Sequence, residues 1–155
     1  MNEPTLESTV EILTTFSSKD VTELGKLLPH LSQKFSGKPI NHELLQIIID
    51  SPFHEQFVVR NSDGKIIGAA TLSIVIGSGA GLNAQLEDFI VDPTIQHSGI
   101  GEKLWNAIMS WCTEKKLVTL KFTSKPTRTS AHAFYLKHGA IIRETSNFSK
   151  SIQTN

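Results

Sequence analysis

Hydrophobic positions in the first part of the chain change between the two-residue period of strands and the 3.6-residue period of helices. Residues 9–16 open with alternation and predict a first strand. Asp20, with Glu23 three residues later, fits the N-cap of a helix, and Asn41 fits the N-cap of a second one. The apolar stripes of these helices are Leu24, Leu27, Leu28 and Leu31, and then Leu44, Leu45, Ile48 and Ile49. The start of the chain therefore predicts one strand followed by two helices.

The middle of the chain carries the pattern of a hairpin. Residues 57–60 and 65–76 are rich in β-branched and apolar side chains, and residues 61–64, Asn-Ser-Asp-Gly, are typical of a tight turn. Residues 77–81 are rich in glycine and lead towards another strand at residues 86–91. We interpret the glycine-rich stretch as a flexible strand connection, because it lacks the spacing of a dinucleotide-binding loop.

The last third of the chain begins with an amphipathic helix. Its apolar residues at helical spacing are Ile100, Leu104, Ile108, Trp111 and Cys112. Residues 118–122 alternate and predict a half-buried strand. Ser130 fits the N-cap of a last helix, and Gly139 fits the position just after its C-terminus. Residues 140–142 and 145–148 predict a closing pair of strands.

Length, charge and cysteine content limit the classes of function. With 155 residues, the chain suits a single domain over residues 1–155. The formal net charge is zero, which gives no basic footprint for nucleic acid and no polybasic membrane patch. The single cysteine, Cys112, fits a reducing cytosol, and the sequence has neither a membrane-spanning run nor a signal-peptide pattern. We therefore expect a soluble, cytoplasmic protein.

Residues 86–101, LEDFIVDPTIQHSGIG, join a strand, a turn and a helix start in one run. A helix start leaves backbone N–H groups without partners and carries the positive end of the helix dipole, which favours phosphate oxygens. Gly99 and Gly101 lack a Cβ, so a phosphate group can approach the backbone closely. The run predicts an anion site, and a plain strand-to-helix turn with the same glycines is the alternative.

This run resembles the acetyl-CoA-binding motif of the GNAT superfamily of N-acetyltransferases, which is Gln/Arg-x-x-Gly-x-Gly/Ala behind a Val-Asp-Pro strand end. Here Gln96, Gly99 and Gly101 follow residues 91–93, Val-Asp-Pro. Residues 131–139, AHAFYLKHG, resemble the helix that carries a tyrosine in many members. The resemblance implies an α/β (α+β) fold, a single GNAT-like domain with a central, mostly antiparallel mixed sheet flanked by helices. It also implies that acetyl-CoA binds between the fourth and fifth strands.

The resemblance further assigns residues to the co-substrate acetyl-CoA. The backbone of residues 89–91 would hold the pantetheine arm, and the N–H groups of residues 97–102 would hold the pyrophosphate. The cofactor-binding residues implied in this way are Phe89, Ile90, Val91, Gln96, His97, Ser98, Gly99, Ile100, Gly101, Glu102 and Arg128. The chain departs from the common pattern where Gln96 replaces an arginine and Arg128 replaces an asparagine. No metal ion is implied, and the histidines show no compact metal-ligand spacing.

Acetyl transfer to an amine needs a base for the amine proton and an acid for the leaving thiolate. Successive side chains of a regular strand point to opposite faces, so only one of Glu87 and Asp88 can face a given cavity. The resemblance favours Glu87 as the catalytic base and Tyr135, the single tyrosine, as the catalytic acid. Without the resemblance, Glu87 reads as a surface acid and Tyr135 as a packing aromatic.

The function expected is an acetyl-CoA-dependent N-acetyltransferase that moves an acetyl group to a primary amine by direct attack in a ternary complex. A non-catalytic acyl-CoA-binding regulatory module and a protein lysine or N-terminal acetyltransferase stay open as alternatives. The expected partners are acetyl-CoA and an amine acceptor, and a homodimer stays open. Residues 32–41, residues 77–83 and the C-terminal strands are expected to shape the acceptor pocket.

Overall fold

The structure, a computed structural model, describes residues 6–95 and 97–153. It forms two compact units, Met1–Phe122 and Thr123–Asn155. The first unit contains a sheet with its covering helices, and the second contains one helix and a C-terminal segment. The expectation of one domain over residues 1–155 stays a prediction. None of the helices in the described ranges combines the length and the apolar character needed to cross a membrane.

A sheet organises the first unit. Its strands are β1 (Ser8–Ile12), β2 (His54–Asn61), β3 (Ile66–Gly77), β4 (Gly81–Val91) and β5 (Leu120–Lys121). They lie in the order β1-β2-β3-β4-β5; β1 to β4 pair antiparallel, and β5 is parallel to β4. This topology confirms the predicted mixed, mostly antiparallel sheet. β5 is shorter than the strand that the sequence predicts.

The predicted helices are all present. They are α1 (Ser18–Leu27), α2 (His42–Asp50) and α3 (Ile100–Glu114) in the first unit, and α4 (Thr129–Lys137) in the second. Asn41 caps α2 as predicted, because its Oδ1 accepts hydrogen bonds from the backbone N–H of Glu43 at 2.8 Å and of Leu44 at 3.1 Å. The chain leaves α1 through a single 3-10 turn, Leu28–His30. Pro29 lies in this turn, where it cannot continue an α-helix.

The N-cap of α1 is Ser17, so the prediction of Asp20 is wrong. The Ser17 hydroxyl accepts from the backbone N–H of Asp20 at 3.2 Å, and the Asp20 carboxylate accepts from the backbone N–H of Ser17 at 2.9 Å. This reciprocal pair satisfies two helix-start donors, which explains the earlier start. Asp20 also pairs with Arg60 of β2, with Nη1 and Oδ1 2.8 Å apart. Burial acts to raise the pKa of Asp20, but the bonds from Arg60 and Ser17 outweigh it and hold that pKa below its usual value.

Helices cover both faces of the sheet. On β2, Val58 belongs to a buried cluster with residues of α1 and α2, whereas the neighbouring Phe57 packs its ring against Trp111 of α3, with centroids 6.0 Å apart. The buried cluster of the α1/α2 face consists of Leu13, Val21, Leu24, Leu27, Leu45, Val58, Ile66, Ala69 and Ile90. Because strand side chains alternate, β4 presents Ile90 to the α1/α2 face.

The second unit differs from its predicted form. Arg128, and not Ser130, occupies the N-cap position of α4, and it makes no side-chain cap bond. Gly139 takes the left-handed φ of +84° expected after a helix end. The prediction of two closing strands, at residues 140–142 and 145–148, is wrong, since the described residues after α4 contain no strand. A short apolar run becomes a strand only where a second strand pairs with it, and none of the described strands pairs here.

Candidate active site

β4 is irregular at its two acidic residues. Thr71 of β3 pairs with Glu87, and Ala69 pairs with Ile90, so β4 carries one residue more than β3 between these two pairs. Such an extra residue is a β-bulge, which bends the strand and re-aims side chains. Asp88 lies in the bulge with a left-handed φ of +53°. Aspartate tolerates this region better than most residues, so the sequence permits the bulge at this position.

Because of the bulge, the side chains of Glu87 and Asp88 do not alternate between opposite faces of the sheet as predicted. Directly paired residues share a face, so Glu87 lies on the face of Thr71, which lines a cavity. Asp88 lines the same cavity. Glu87 is exposed, and its Oε1 accepts a hydrogen bond from Gln85 Nε2 at 3.3 Å. The role of Glu87 as base stays a prediction, and Asp88 becomes a second candidate.

The cavity, about 360 Å³ in volume, lies between the sheet, α1, α2 and the loop of residues 35–41. Apolar side chains form most of its wall, including Leu28 after α1 and Leu44 and Ile48 of α2. Residues 35–41 belong to the segment that was expected to shape the acceptor pocket. Residues 77–83, also expected there, are not among its described lining residues.

Gln56 is a lining residue that the sequence reasoning missed. It is 5% exposed, and its Nε2 donates to the backbone oxygens of Phe57 and Ala70, both at 3.2 Å. Its Oε1 accepts a hydrogen bond from the Thr71 hydroxyl at 3.0 Å. In the sequence, Gln56 could have been recognised as a polar residue directly before an apolar strand run. These bonds tie β2 to β3 at the cavity wall and occupy both polar atoms of the amide.

Asp88 dominates the electrostatics of the cavity. Burial raises the pKa of Asp88 above its usual value, and the positive charge of Lys34 counteracts part of that rise. Asp88 is an exposed residue, so the surrounding protein removes only part of the hydration of its carboxylate. Of the described residues that line the cavity, Asp88 is the only acidic one and Lys38 the only basic one. A carboxylate in this position can attract a cationic amine and accept its proton.

β4 and β5 separate after a short stretch of pairing. In the described residues, the pairs are Ala84 with Leu120 and Gln85 with Lys121. The predicted pantetheine segment, residues 89–91, lies beyond this pairing. Its side chains are turned inward: the Phe89 ring packs against Trp105 with centroids 6.2 Å apart, and Ile90 and Val91 are 4% and 9% exposed. The side chains of this segment therefore pack within the protein, and the contact of its backbone with the pantetheine arm stays a prediction.

The loop after β4 has the geometry of an anion site. His97 and Gly99 take left-handed φ values of +69° and +83°, and Gly99 is the N-cap of α3 without a side-chain cap bond. A Cβ added at Gly99 would meet nothing within 4 Å, so the loop is open on that side. The Ser98 hydroxyl donates to the backbone oxygen of Ile95. The start of α3 thus suits a pyrophosphate group. Gln96 lies outside the described residues.

The first turn of α3 contains three further predicted contacts. Ile100 is 2% exposed, so its side chain anchors the turn in the core and only its backbone can meet a ligand. Gly101 follows with no side chain, as close approach of a phosphate requires. Glu102 is the acidic residue of the first turn, where a negative charge is favoured by the helix dipole. Their contacts with acetyl-CoA stay predictions.

The second unit holds the other two predicted site residues. Tyr135 lies on α4, and Arg128 lies at the N-cap of that helix. Burial raises the pKa of Tyr135, and the charge of Arg128 lowers it in part, leaving it above its usual value. The hydroxyl is therefore protonated at neutral pH, as a general acid must be. The roles of Tyr135 and Arg128 stay predictions.

Among the described residues, Cys112 and the side chains that could hold a metal ion give no competing site. Cys112 is 9% exposed, and burial raises the pKa of its thiol, which disfavours the nucleophilic thiolate. Within residues 6–95 and 97–153, no group of three or more His, Cys, Asp or Glu residues is placed to hold a metal ion.

The site thus combines two strands that part, a helix start without a side-chain cap, and a cavity with one carboxylate among its described lining residues. The acetyltransferase (GNAT) family matches residues 26–140, and the chain belongs to this family. The prediction of a GNAT-type N-acetyltransferase is thereby confirmed. A comparison with curated proteins finds no match.

Solved structures share the fold. An acetyltransferase from Trypanosoma brucei has a TM-score of 0.74 and 22% identity, over 94% of this chain and 100% of that one. An aminoglycoside acetyltransferase from an uncultured soil metagenomic sample, in complex with sisomicin, has a TM-score of 0.78 and 20% identity, over 94% and 97%. AAC(6')-Iy, in complex with the bisubstrate analog CoA-S-monomethyl-acetylneamine, has a TM-score of 0.73 and 20% identity, over 95% and 99%. These similarities confirm the predicted fold class.

Proposed function

We propose that the protein transfers the acetyl group of acetyl-CoA directly to a primary amine while both substrates are bound. The observation that carries the proposal is the form of β4. Within one unit, this strand places Asp88 in a cavity, leaves residues 89–91 beyond the pairing with β5, and leads into the uncapped start of α3. Amine, thioester and pyrophosphate would thus be held along one continuous segment.

On the acetyl-CoA side, the chain would act mainly through its backbone. N–H groups at the start of α3 would bind the pyrophosphate, and the backbone of residues 89–91 would bind the pantetheine arm. The buried side chains of Ile90 and Val91 support this division, because they hold the segment in place without reaching a ligand. The left-handed Gly99 keeps the approach to the helix start open.

On the acceptor side, Asp88 would receive a proton from the ammonium group, directly or through a water molecule. The neutral nitrogen then attacks the thioester carbon, a C–N bond forms, and the C–S bond breaks. In the overall balance two protons leave the nitrogen: one passes to solvent, and one is matched by the proton that the thiolate takes up. The raised pKa of Asp88 supports this role, because a base of higher pKa holds the accepted proton better.

The leaving thiolate would take its proton from Tyr135, which solvent then reprotonates. A tyrosine that stays protonated at neutral pH is suited to this step. The cytoplasmic location expected from the sequence belongs to the same proposal.

Acetyl-CoA binding is tested by thermal unfolding. A ligand that binds only the native state raises the melting temperature, and Gly99→Glu should abolish that rise by placing a side chain and a negative charge at the helix start. Gly64→Glu is the matched control, since Gly64 also has a positive φ, +77°, and open space around it, but lies in the β2–β3 turn. The proposed phosphate site is refuted if Gly99→Glu keeps the full rise.

The base is tested by the rate of CoA-thiol release with an amine acceptor. We expect Asp88→Asn to lower turnover by roughly 100-fold or more at neutral pH while acetyl-CoA affinity is kept, with partial recovery at high pH as free amine accumulates. Asparagine also tolerates a left-handed backbone, so this variant preserves the bulge. Glu87→Gln is the matched comparison. A severe Glu87→Gln together with a mild Asp88→Asn would restore Glu87 as the base.

The same assays separate the alternatives. A non-catalytic acyl-CoA-binding module would show the thermal shift without CoA release from any acceptor. A protein acetyltransferase would release CoA with peptides and not with small amines.

A further inference from the structure

We propose that the acceptor is an amine with a single positive charge and an apolar body, and that the cavity disfavours polycationic, hydroxyl-rich amines. The ammonium group would lie at Asp88, and the body would pack against α2 and the loop of residues 35–41. The inference rests on the proposed function and specifies its acceptor. It separates this chain from the aminoglycoside acetyltransferase whose fold it shares.

The charges around the cavity favour one cation and oppose a second. Asp88 is the only acidic residue among the described lining residues, so one ammonium group finds one carboxylate. Lys38 also lines the cavity, and the charge of Lys34 acts on the Asp88 carboxylate from the same loop. Inside the cavity, a second ammonium group on the acceptor would therefore meet Lys38 and no second carboxylate among the described lining residues, since Glu87 lies on the same face but outside that lining.

Several polar side chains of the wall are already engaged within the protein. The Gln56 amide bonds to β2 and β3, and the Thr71 hydroxyl donates to it. The Asn41 side-chain oxygen accepts two backbone bonds at the start of α2. An acceptor with many hydroxyl groups would lose its hydrogen bonds to water and find few replacements, which costs binding energy.

Apolar side chains of the cavity wall, one exposed and three half-buried, keep surface that a ligand could cover. Leu44 lines the cavity with 61% of its surface exposed, and Leu28, Phe35 and Ile48 line it as well. The volume of about 360 Å³ lies in the range of pockets for small molecules. An apolar body of this size would remove exposed surface from water, which is the main source of affinity for such a site.

The primary experiment compares acceptors by kcat/KM in the CoA-release assay. The probes are hexylamine and 2-phenylethylamine as apolar monoamines, and spermidine and kanamycin as polycations. We expect the monoamines to be preferred by roughly tenfold or more, the scale on which apolar contacts discriminate between substrates. A preference for either polycation overturns the inference and leaves the proposed acetyl transfer intact.

The apolar wall is tested on α2, which offers a matched pair of residues. Leu44 and Ile47 are exposed to 61% and 62%, but only Leu44 is among the lining residues. Leu44→Ser should lower kcat/KM for hexylamine by about 3- to 20-fold and leave acetyl-CoA affinity unchanged, whereas Ile47→Ser should change neither. Equal effects of the two variants would contradict the assigned position of the apolar body.

The charge argument is tested by reversing Lys34. Lys34→Glu should raise kcat/KM for spermidine relative to hexylamine by roughly 3- to 10-fold, because it replaces the positive charge that acts on Asp88 with a negative one. Lys115→Glu makes the same change in net charge at the end of α3, on the other face of the sheet. An equal change of the ratio in both variants would show that net charge, and not the cavity, selects the acceptor.

Failure of the inference and failure of the proposed function give different results. If no amine supports CoA release, acetyl transfer to amines is refuted. The inference is then judged by the thermal shift that each amine causes: a shift by hexylamine that exceeds the shift by spermidine supports it, and the reverse order overturns it.

Discussion

Gly25 controls how closely the cavity loop approaches α1. A Cβ built on Gly25 would lie 2.0 Å from the backbone oxygen of Lys38, 2.7 Å from its carbonyl carbon and 2.9 Å from the Cα of Pro39. The loop is fixed at this point by a hydrogen bond from the Ile40 N–H to the Val21 oxygen at 3.2 Å. Because the obstructing atoms are backbone, Gly25→Ala can be accommodated only if the loop of residues 35–41 moves away from the helix.

The expected loss of stability in Gly25→Ala is the balance of three effects. Overpacking costs about 1–3 kcal/mol, and weakening the Ile40 hydrogen bond costs about 1 kcal/mol. Alanine recovers about 0.5–1 kcal/mol, since it is a better helix former than glycine. The net destabilisation is about 1–3 kcal/mol, which for a chain of this size lowers the melting temperature by roughly 3–10 °C. The displaced loop lines the cavity, so KM for the acceptor should rise severalfold.

Thermal unfolding and steady-state kinetics measure these two effects. Gly79→Ala is the control, because Gly79 lies in the β3–β4 connection and a Cβ there meets nothing within 4 Å. It should leave both the melting temperature and the acceptor KM close to wild type. The reasoning is refuted if Gly25→Ala is as stable as wild type and binds the acceptor equally well.

Two further predictions concern side chains whose pKa values are shifted. Tyr135→Phe should keep acetyl-CoA affinity and slow turnover by roughly 10- to 1000-fold, and unchanged CoA release would leave Tyr135 with a packing role only. Asp20 has a lowered pKa in the folded state, so its stabilising contribution is present above the unfolded pKa and is lost as pH falls through the folded pKa. Asp20→Asn should lower the free energy of unfolding by about 1–2 kcal/mol at neutral pH and by less in acid. Denaturant unfolding at both pH values measures the two losses. Equal losses at both pH values would exclude a charge effect.

The sequence predicted the helices and the main strands of the first unit because local periodicity determines them. Val58 and Phe57 show why: these adjacent residues of β2 are buried against opposite helical layers, so the strand appears in the sequence as a continuous apolar run. The cap of α1 was misplaced, because Ser17 and Asp20 are both good cap residues and only the reciprocal bonds and the Arg60 pairing distinguish them.

The position of the two carboxylates could not be predicted in the same way. Alternation along residues 86–91 assigned Glu87 and Asp88 to opposite faces, whereas the bulge brings both to the cavity side. A bulge depends on the register with β3, which is a non-local property. The prediction of two C-terminal strands was wrong for a related reason, because strand formation also depends on a non-local partner. None of the described strands pairs with this segment, and Ile141 and Ile142 are 80% and 76% exposed.

The bulge also explains how one strand can serve two substrates. A regular strand presents its side chains on two faces and its backbone hydrogen-bonding groups along two edges. One edge of β4 pairs with β3. The described pairs of β4 with β5 end at Gln85, before the proposed pantetheine segment at residues 89–91. The strand must also deliver a carboxylate to the acceptor from the residue directly before that segment. The left-handed φ of Asp88 meets that demand, because it turns this side chain towards the cavity while Phe89 keeps its packing on Trp105. Strain of about 1–3 kcal/mol at such a residue persists only where neighbouring packing enforces it, and the buried Ile90 and Val91 provide that packing.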